Sequence, residues 1–311
     1  MEMKRYIIYA LMVLILGGCR YSFDLNDSGL EPKICVMAVM AEGEETGIRV
    51  CKTVPVYEVG KADAEMAQPR FTLLCNGKEV EAGEAEACED GYRINAEAFR
   101  SGDLIELHVE AEGLEAVAAS TVIPGQFPPY SQEIYEDEEG NFCVRVTYED
   151  DPETRDYYGA VVEYRTYMTS GELNPHIHTA SPLSWNNEIS IDPDAYAPAV
   201  IQVKEMDHDW MFIWKDEDGE KSSYEMKIHY ESYGNGGRNI QDTRIRLYRL
   251  SEEMYRRLYA QYDIESNPFA GIGMSSPSFT YNNIKGGVGW FCSYSSVTSE
   301  WMLKDKEEES L

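Results

Sequence analysis

Basic charge is in short supply in this sequence. Its 311 residues carry 27 Lys+Arg against 56 Asp+Glu, a formal net charge of −29 at pH 7. A surface of that sign repels phosphodiester backbones and anionic headgroups, which excludes nucleic acid as a partner and electrostatic docking on membranes. The apolar run from Tyr6 to Leu16 falls short of the roughly 20 residues a spanning helix needs. No CxxC pair is present, so zinc-ribbon and thioredoxin-like readings have no basis. GxSxG, HExxH and P-loop motifs are missing too. The expectation is therefore a protein that is not an enzyme, with no cofactor and no metal site. Apolar content, by contrast, is ample. At 43% hydrophobic and 12% aromatic, the chain is too apolar for an acidic disordered protein and long enough for one large or two ordinary domains.

The N-terminus decides the compartment. Lys4 and Arg5 form a basic start, and Tyr6 to Leu16 has the length of a secretory signal core. It ends in Leu16-Gly17-Gly18-Cys19, a branched apolar residue, two small residues and a cysteine, which is the pattern of a lipobox. Small residues let a signal peptidase reach the backbone, and the Cys19 thiol takes a diacylglycerol before cleavage. The freed amine can then be acylated, for example with palmitate. An ordinary signal peptide with an incidental cysteine is the alternative. Two or three acyl chains anchor stably, at about 0.8 kcal/mol per buried methylene. Cleavage would remove two basic residues and one acid, taking the net charge from −29 to −30. The expected location is the outer membrane, held by lipid, on its periplasmic or outer face.

The rest reads as all-β. Residues 34–40, 48–54, 71–75, 78–80, 91–94, 104–110 and 114–123 are short apolar or alternating runs separated by turns, and Asn76-Gly77 has the chemistry of a type I′ hairpin turn. Such spacing predicts a β-sandwich of immunoglobulin-like or transthyretin-like kind. Pro124, Pro128 and Pro129 interrupt it. The expected division is a signal peptide over 1–18, a lipidated tether over 19–32, a β-sandwich domain over 33–124, a second β-rich domain over 125–303 and a charged tail over 304–311. One helix is predicted near 251–264. Ser251 is a suitable N-cap, Glu252 and Glu253 suit the first turn, and Met254, Leu258 and Tyr262 recur every fourth residue.

Candidate chemistry is sparse. His176 and His178 would share a strand face, but no third metal ligand is set by spacing. Asp216, Asp218 and Gly219 begin like a calcium loop, yet Lys227 stands where its closing Glu belongs. Trp185, Trp210 and Trp214 could form an aromatic platform for glycans, or could be core residues on alternating strands. Six cysteines follow Cys19, and their pairing is left open because six allow 15 connectivities.

One stretch is recognisable. Asn267-Pro268-Phe269 is followed by Tyr281-Asn282-Asn283-Ile284-Lys285-Gly286-Gly287-Val288-Gly289-Trp290-Phe291. Within it Tyr281, Asn283, Ile284, Gly286, Gly287, Gly289 and Phe291 match a run that resembles the C-terminal signature of the bacterial lipoproteins grouped as domain of unknown function 4249. Asp150-Asp151-Pro152 with Tyr157-Tyr158, and the lipobox, fit the same resemblance. It implies an outer-membrane lipoprotein of Gram-negative bacteria whose genes often neighbour TonB-dependent transporters, and it brings no catalytic residues. The expected function is a non-enzymatic accessory or binding subunit of such a transport system. A surface adhesin or glycan-binding module is the alternative. The glycines have a physical reason of their own: they allow positive φ and close backbone approach, so the motif reads as a tight turn into a closing strand.

Overall fold

Alternating apolar side chains give each strand one buried face. A computed structural model describes residues 31–54, 66–81, 83–88, 91–96, 98–136, 142–151, 153–166, 170, 172–179, 199–203, 208–215, 223–230, 241–267 and 280–303. The first half holds β1 (Ile34–Ala41), β2 (Thr46–Lys52), β3 (Arg70–Cys75), β4 (Lys78–Val80), β5 (Glu86–Cys88), β6 (Gly91–Ala96), β7 (Leu104–Glu110) and β8 (Val117–Val122). The second half holds β9 (Tyr130–Glu136), β10 (Phe142–Glu149), β11 (Tyr157–Thr166), β12 (His178–Thr179), β13 (Ala199–Val203), β14 (His208–Lys215), β15 (Ser223–Tyr230) and β16 (Gln241–Leu250). Helix α1 (Glu252–Ser266), β17 (Val288–Thr298) and β18 (Met302–Leu303) complete it. The fold is all-β with this single helix among the described residues. The Asn76-Gly77 turn has φ values of 52° and 75°, as its hairpin chemistry requires.

The described residues form three sheets. The largest runs β13-β14-β11-β16-β17-β1-β2-β6-β5, with β12 beside β11 and β18 beside β16. A four-stranded sheet, β4-β3-β7-β8, covers one end of it, and a three-stranded sheet, β15-β10-β9, covers the other. The first core lies between the four-stranded sheet and β1, β2 and β6. Ile34, Val36, Ile48 and Val50 meet Leu73, Ile105, Leu107 and Val109 there. The second core joins Val144, Val146 and Tyr148 of β10 to Tyr158, Val162, Phe212, Trp214, Ile245 and Leu247. Helix α1 packs on the opposite face of the large sheet, where Met254 and Leu258 bury against Val161, Met211, Ile213, Tyr248, Leu250 and Cys292.

The predicted boundary at 124/125 does not separate the sheets. Strand β17 pairs in parallel with β1 from Cys35↔Val288 to Ala41↔Tyr294, and antiparallel with β16 from Leu250↔Tyr294 to Arg246↔Thr298. One strand near the C-terminus thus joins strands from both sides of the proline-rich link. Its inward serines fasten that link. Ser293 Oγ donates to Val122 O at 2.7 Å and shares a 2.9 Å hydrogen bond with Thr121 Oγ1, while Ser295 Oγ donates to Gly125 O. Both serines are fully buried, so these bonds satisfy groups that water cannot reach.

Candidate functional site

The C-terminal motif is a structural clamp. Asn283 holds Phe291 with both ends of its amide: Nδ2 donates to Phe291 O at 2.8 Å, and Oδ1 accepts from Phe291 N at 2.9 Å. The side chain thereby imitates a neighbouring strand. Asn282 turns the loop, its Oδ1 accepting from Ile284 N and its Nδ2 donating to Gly287 O, each at 3.1 Å. Lys285 exchanges two backbone hydrogen bonds with Ala118 of β8, at 2.8 and 3.1 Å. Ile284 and Phe291 then bury in the first core. The loop therefore ties the four-stranded sheet to β17 of the large sheet. Tyr281 stands beside the start of α1; burial, with Glu253 nearby, pushes its hydroxyl up to about 12.

Three motif glycines sit where a side chain has no room. A Cβ on Gly289, at φ +113°, would collide with the carbonyl oxygen of its partner Val36. One on Gly287 would lie 2.5 Å from Ile34 O and 2.7 Å from Val117 Cγ1, and one on Gly286 would lie 2.8 Å from Ala116 O. All three clashes are with the first sandwich's own strands or the residue next to β8, so the space that glycine preserves is filled by protein. Asn267 caps the end of α1; Pro268 and Phe269 lie outside the described residues, as does Cys19.

The expected aromatic platform is not a platform at Trp214. That residue is 4% exposed in the second core, and its indole N–H donates to Tyr148 Oη at 2.8 Å. Burial follows from strand alternation, which points it inward with Phe212. Trp185 lies outside the described residues, and of Trp210 only its place on β14 is described. Aromatic rings line up elsewhere. Tyr157, Tyr255, Tyr259 and Tyr262 form a row along α1 with ring centroids 5.0, 5.9 and 6.0 Å apart. Tyr259 is 46% exposed, and the other three are half-buried. The four-residue spacing of Tyr255 and Tyr259 carried this signal in the sequence.

The polar residues pair among themselves. Glu163, opposite Arg244 on the neighbouring strand, contacts both Arg244 and Arg246. Arg165 pairs with Asp242 opposite it at 2.8 Å, and the Arg165 and Arg244 guanidiniums both lie over the Trp301 ring, at 4.2 and 4.4 Å. Glu163 and Asp242 are almost fully buried, so these pairs neutralise charge inside the sheet instead of presenting it. Asp150 accepts from Tyr158 Oη, and burial raises its carboxyl above the usual range. Arg249 grips Asp156 with two nitrogens. His178 stacks on Tyr164, and His176 donates its backbone N–H to Asn174 Oδ1. Among the described residues no group of three or more His, Cys, Asp or Glu is placed to hold a metal. The Glu163 ion pairs were not legible in the sequence, because only strand register places Glu163 opposite Arg244.

Comparisons with known proteins bear on this geometry. A family model described as Domain of unknown function (DUF4249) matches residues 20–300. No curated protein matches the chain. Among solved structures, a DUF4785 family protein from Legionella pneumophila is similar at 11% identity and a TM-score of 0.25, over 70% of this chain and 52% of that one. The chain therefore spans about half the length of that protein. Bovine butyrophilin is similar at 9% identity and a TM-score of 0.21, over 70% of this chain and 92% of that one. At scores this low neither likeness speaks to function or to fold.

Proposed function

This chain belongs to the DUF4249 family, and from that premise we propose that it is an outer-membrane lipoprotein serving as a non-enzymatic binding subunit beside a TonB-dependent transporter. One observation carries the reading: the family match opens at residue 20, directly after the Cys19 of the lipobox. The anchor and the folded body are then separate parts, with the body starting at β1 and a polar segment between them. Among the described residues no helix is long and apolar enough to cross a membrane; in this reading the acyl chains on Cys19 hold the protein. The transporter partner comes from the gene association that the C-terminal signature implies.

A crosslinked pull-down from native outer membranes tests the partner. Recovery of a TonB-dependent transporter is the expected result; recovery of no membrane transporter overturns that part. Cys19→Ala tests the anchor separately. The variant should leave the membrane fraction, and a variant that still sediments with membranes removes the lipobox reading.

The tyrosine row along α1 favours glycan binding as a second reading, because part-exposed aromatic rings offer flat apolar faces to sugars. Retention on immobilised outer-surface glycans should fall about tenfold in Tyr259→Ala, a loss of roughly 1.4 kcal/mol. If the intact protein is not retained, this reading is withdrawn.

A further inference from the structure

Six cysteines follow Cys19, and the fold brings two of them together. Cys35 on β1 and Cys51 on β2 are direct cross-strand partners. Their neighbours Ile34, Val36 and Val50 fill the first core, so both cysteines point to the other face of the sheet, where each is partly exposed. Two positions nearer the strand ends, Thr53 N donates to Lys33 O at 2.9 Å. Antiparallel partners alternate, so Cys35 and Cys51 occupy a hydrogen-bonded pair, whose α-carbons stand about 5.5 Å apart. Disulfides need roughly 4.4–6.8 Å. The next strand adds Gly91 beside Cys51, where a Cβ would lie 3.0 Å from Cys51 Cβ, and then Cys88 opposite Gly91. Cys88 is two strand spacings from Cys51, roughly 10 Å, too far to bridge.

We propose that Cys35 and Cys51 form a disulfide by exchange with a small or protein-borne disulfide oxidant, stapling the β1–β2 hairpin where the chain enters the fold. The two thiols are unequal. The Cys35 thiol hydrogen-bonds the Cys51 sulfur and, with Arg49 nearby, lowers Cys51 to about 7; that same bond, with burial, pushes Cys35 up. The Cys51 thiolate attacks one sulfur of the oxidant, whose S–S bond breaks and releases the first thiolate. The Cys35 sulfur then attacks the Cys51 sulfur of this mixed disulfide and releases the second thiolate. The two protons of Cys35 and Cys51 pass through solvent to the released thiolates. Two protein thiols are oxidised by two electrons, and the oxidant is reduced to two thiols. The staple sits on β1 next to the tether that leads back to Cys19, so any pull from the anchor would be shared with β2. The pairing itself does not depend on the lipoprotein reading.

The test uses the full purified chain with oxidised glutathione as the probe. After acid quench, alkylation in denaturant and digestion, mass spectrometry should find a peptide joining Cys35 to Cys51, with Cys75, Cys88 and Cys292 alkylated. In the reduced protein, labelling of Cys51 should be half-maximal near pH 7. Cys51→Ser should abolish the joined peptide, and Cys88→Ser should leave it unchanged. A Cys51–Cys88 link, or a chain that gains glutathione without joining Cys35 to Cys51, overturns the proposal.

Discussion

Gly77 and Gly289 both adopt positive φ, at +75° and +113°, and the same substitution tests different physics at each. At Gly77 nothing lies within 4 Å of an added Cβ, so Ala there meets only the left-handed backbone cost of about 1–2 kcal/mol. At Gly289 the added carbon also meets the Val36 carbonyl, a backbone atom held by sheet pairing that cannot turn away. Gly289→Ala should therefore destabilise the protein by at least about 2 kcal/mol more than Gly77→Ala, measured as the difference between their urea unfolding free energies. Equal losses would mean that β17 shifts to accept the methyl group. The sequence pointed to both positions for different reasons. Asn76-Gly77 is a local turn signal. The Gly286-Gly287-Val288-Gly289 run signalled close approach, but the strand approached lies some 250 residues earlier, and no local pattern could name Val36.

At the scale of elements, the helix was the most legible part. The expected span of 251–264 is seen as Glu252–Ser266 with Ser251 as its N-cap, because capping, first-turn acids and apolar period all agree locally. What the sequence did not disclose is the second duty of the cap. Ser251 Oγ accepts from Met254 N and from Ser293 N, each at 3.1 Å, so it fastens α1 to β17 as well as starting the helix. Removing a cap costs about 1 kcal/mol, and stranding a buried N–H costs about 1–3 kcal/mol more. Ser251→Ala should lose roughly 2–4 kcal/mol in chemical denaturation, whereas Glu252→Gln on the exposed first turn should lose less than about 1 kcal/mol. A loss for Ser251→Ala no larger than that of Glu252→Gln would show the Ser293 bond to be dispensable. Strands followed the same rule as the helix. Leu104–Glu110 was read to the residue because it alternates, while β5 and β12 are too short to carry a period.

At the scale of the molecule, the prolines at 124, 128 and 129 suggested two domains, since a change of composition is what sequence can register. Strand pairing at long range is what it cannot. Because β17 lies between β1 and β16, the first sandwich is finished by residues from the far end of the chain. A fragment ending at 124 would keep β1 to β8 but lose Phe291 and Ile284 from its core and leave β1 as a bare, apolar edge. The main-chain groups of β1 that face β17 would lack their partners, and the apolar surface that Ile284 and Phe291 cover would open to water at about 25 cal/mol per Å². Residues 31–124 expressed alone should therefore show no cooperative thermal transition and should aggregate. Fusing residues 280–303 to that fragment through a long Gly/Ser linker returns β17 in the same parallel register, and cooperative melting should return with it. If instead the bare fragment melts cooperatively and stays monomeric, the first sandwich folds as an independent domain, and β17 is a late attachment to it, not part of its core.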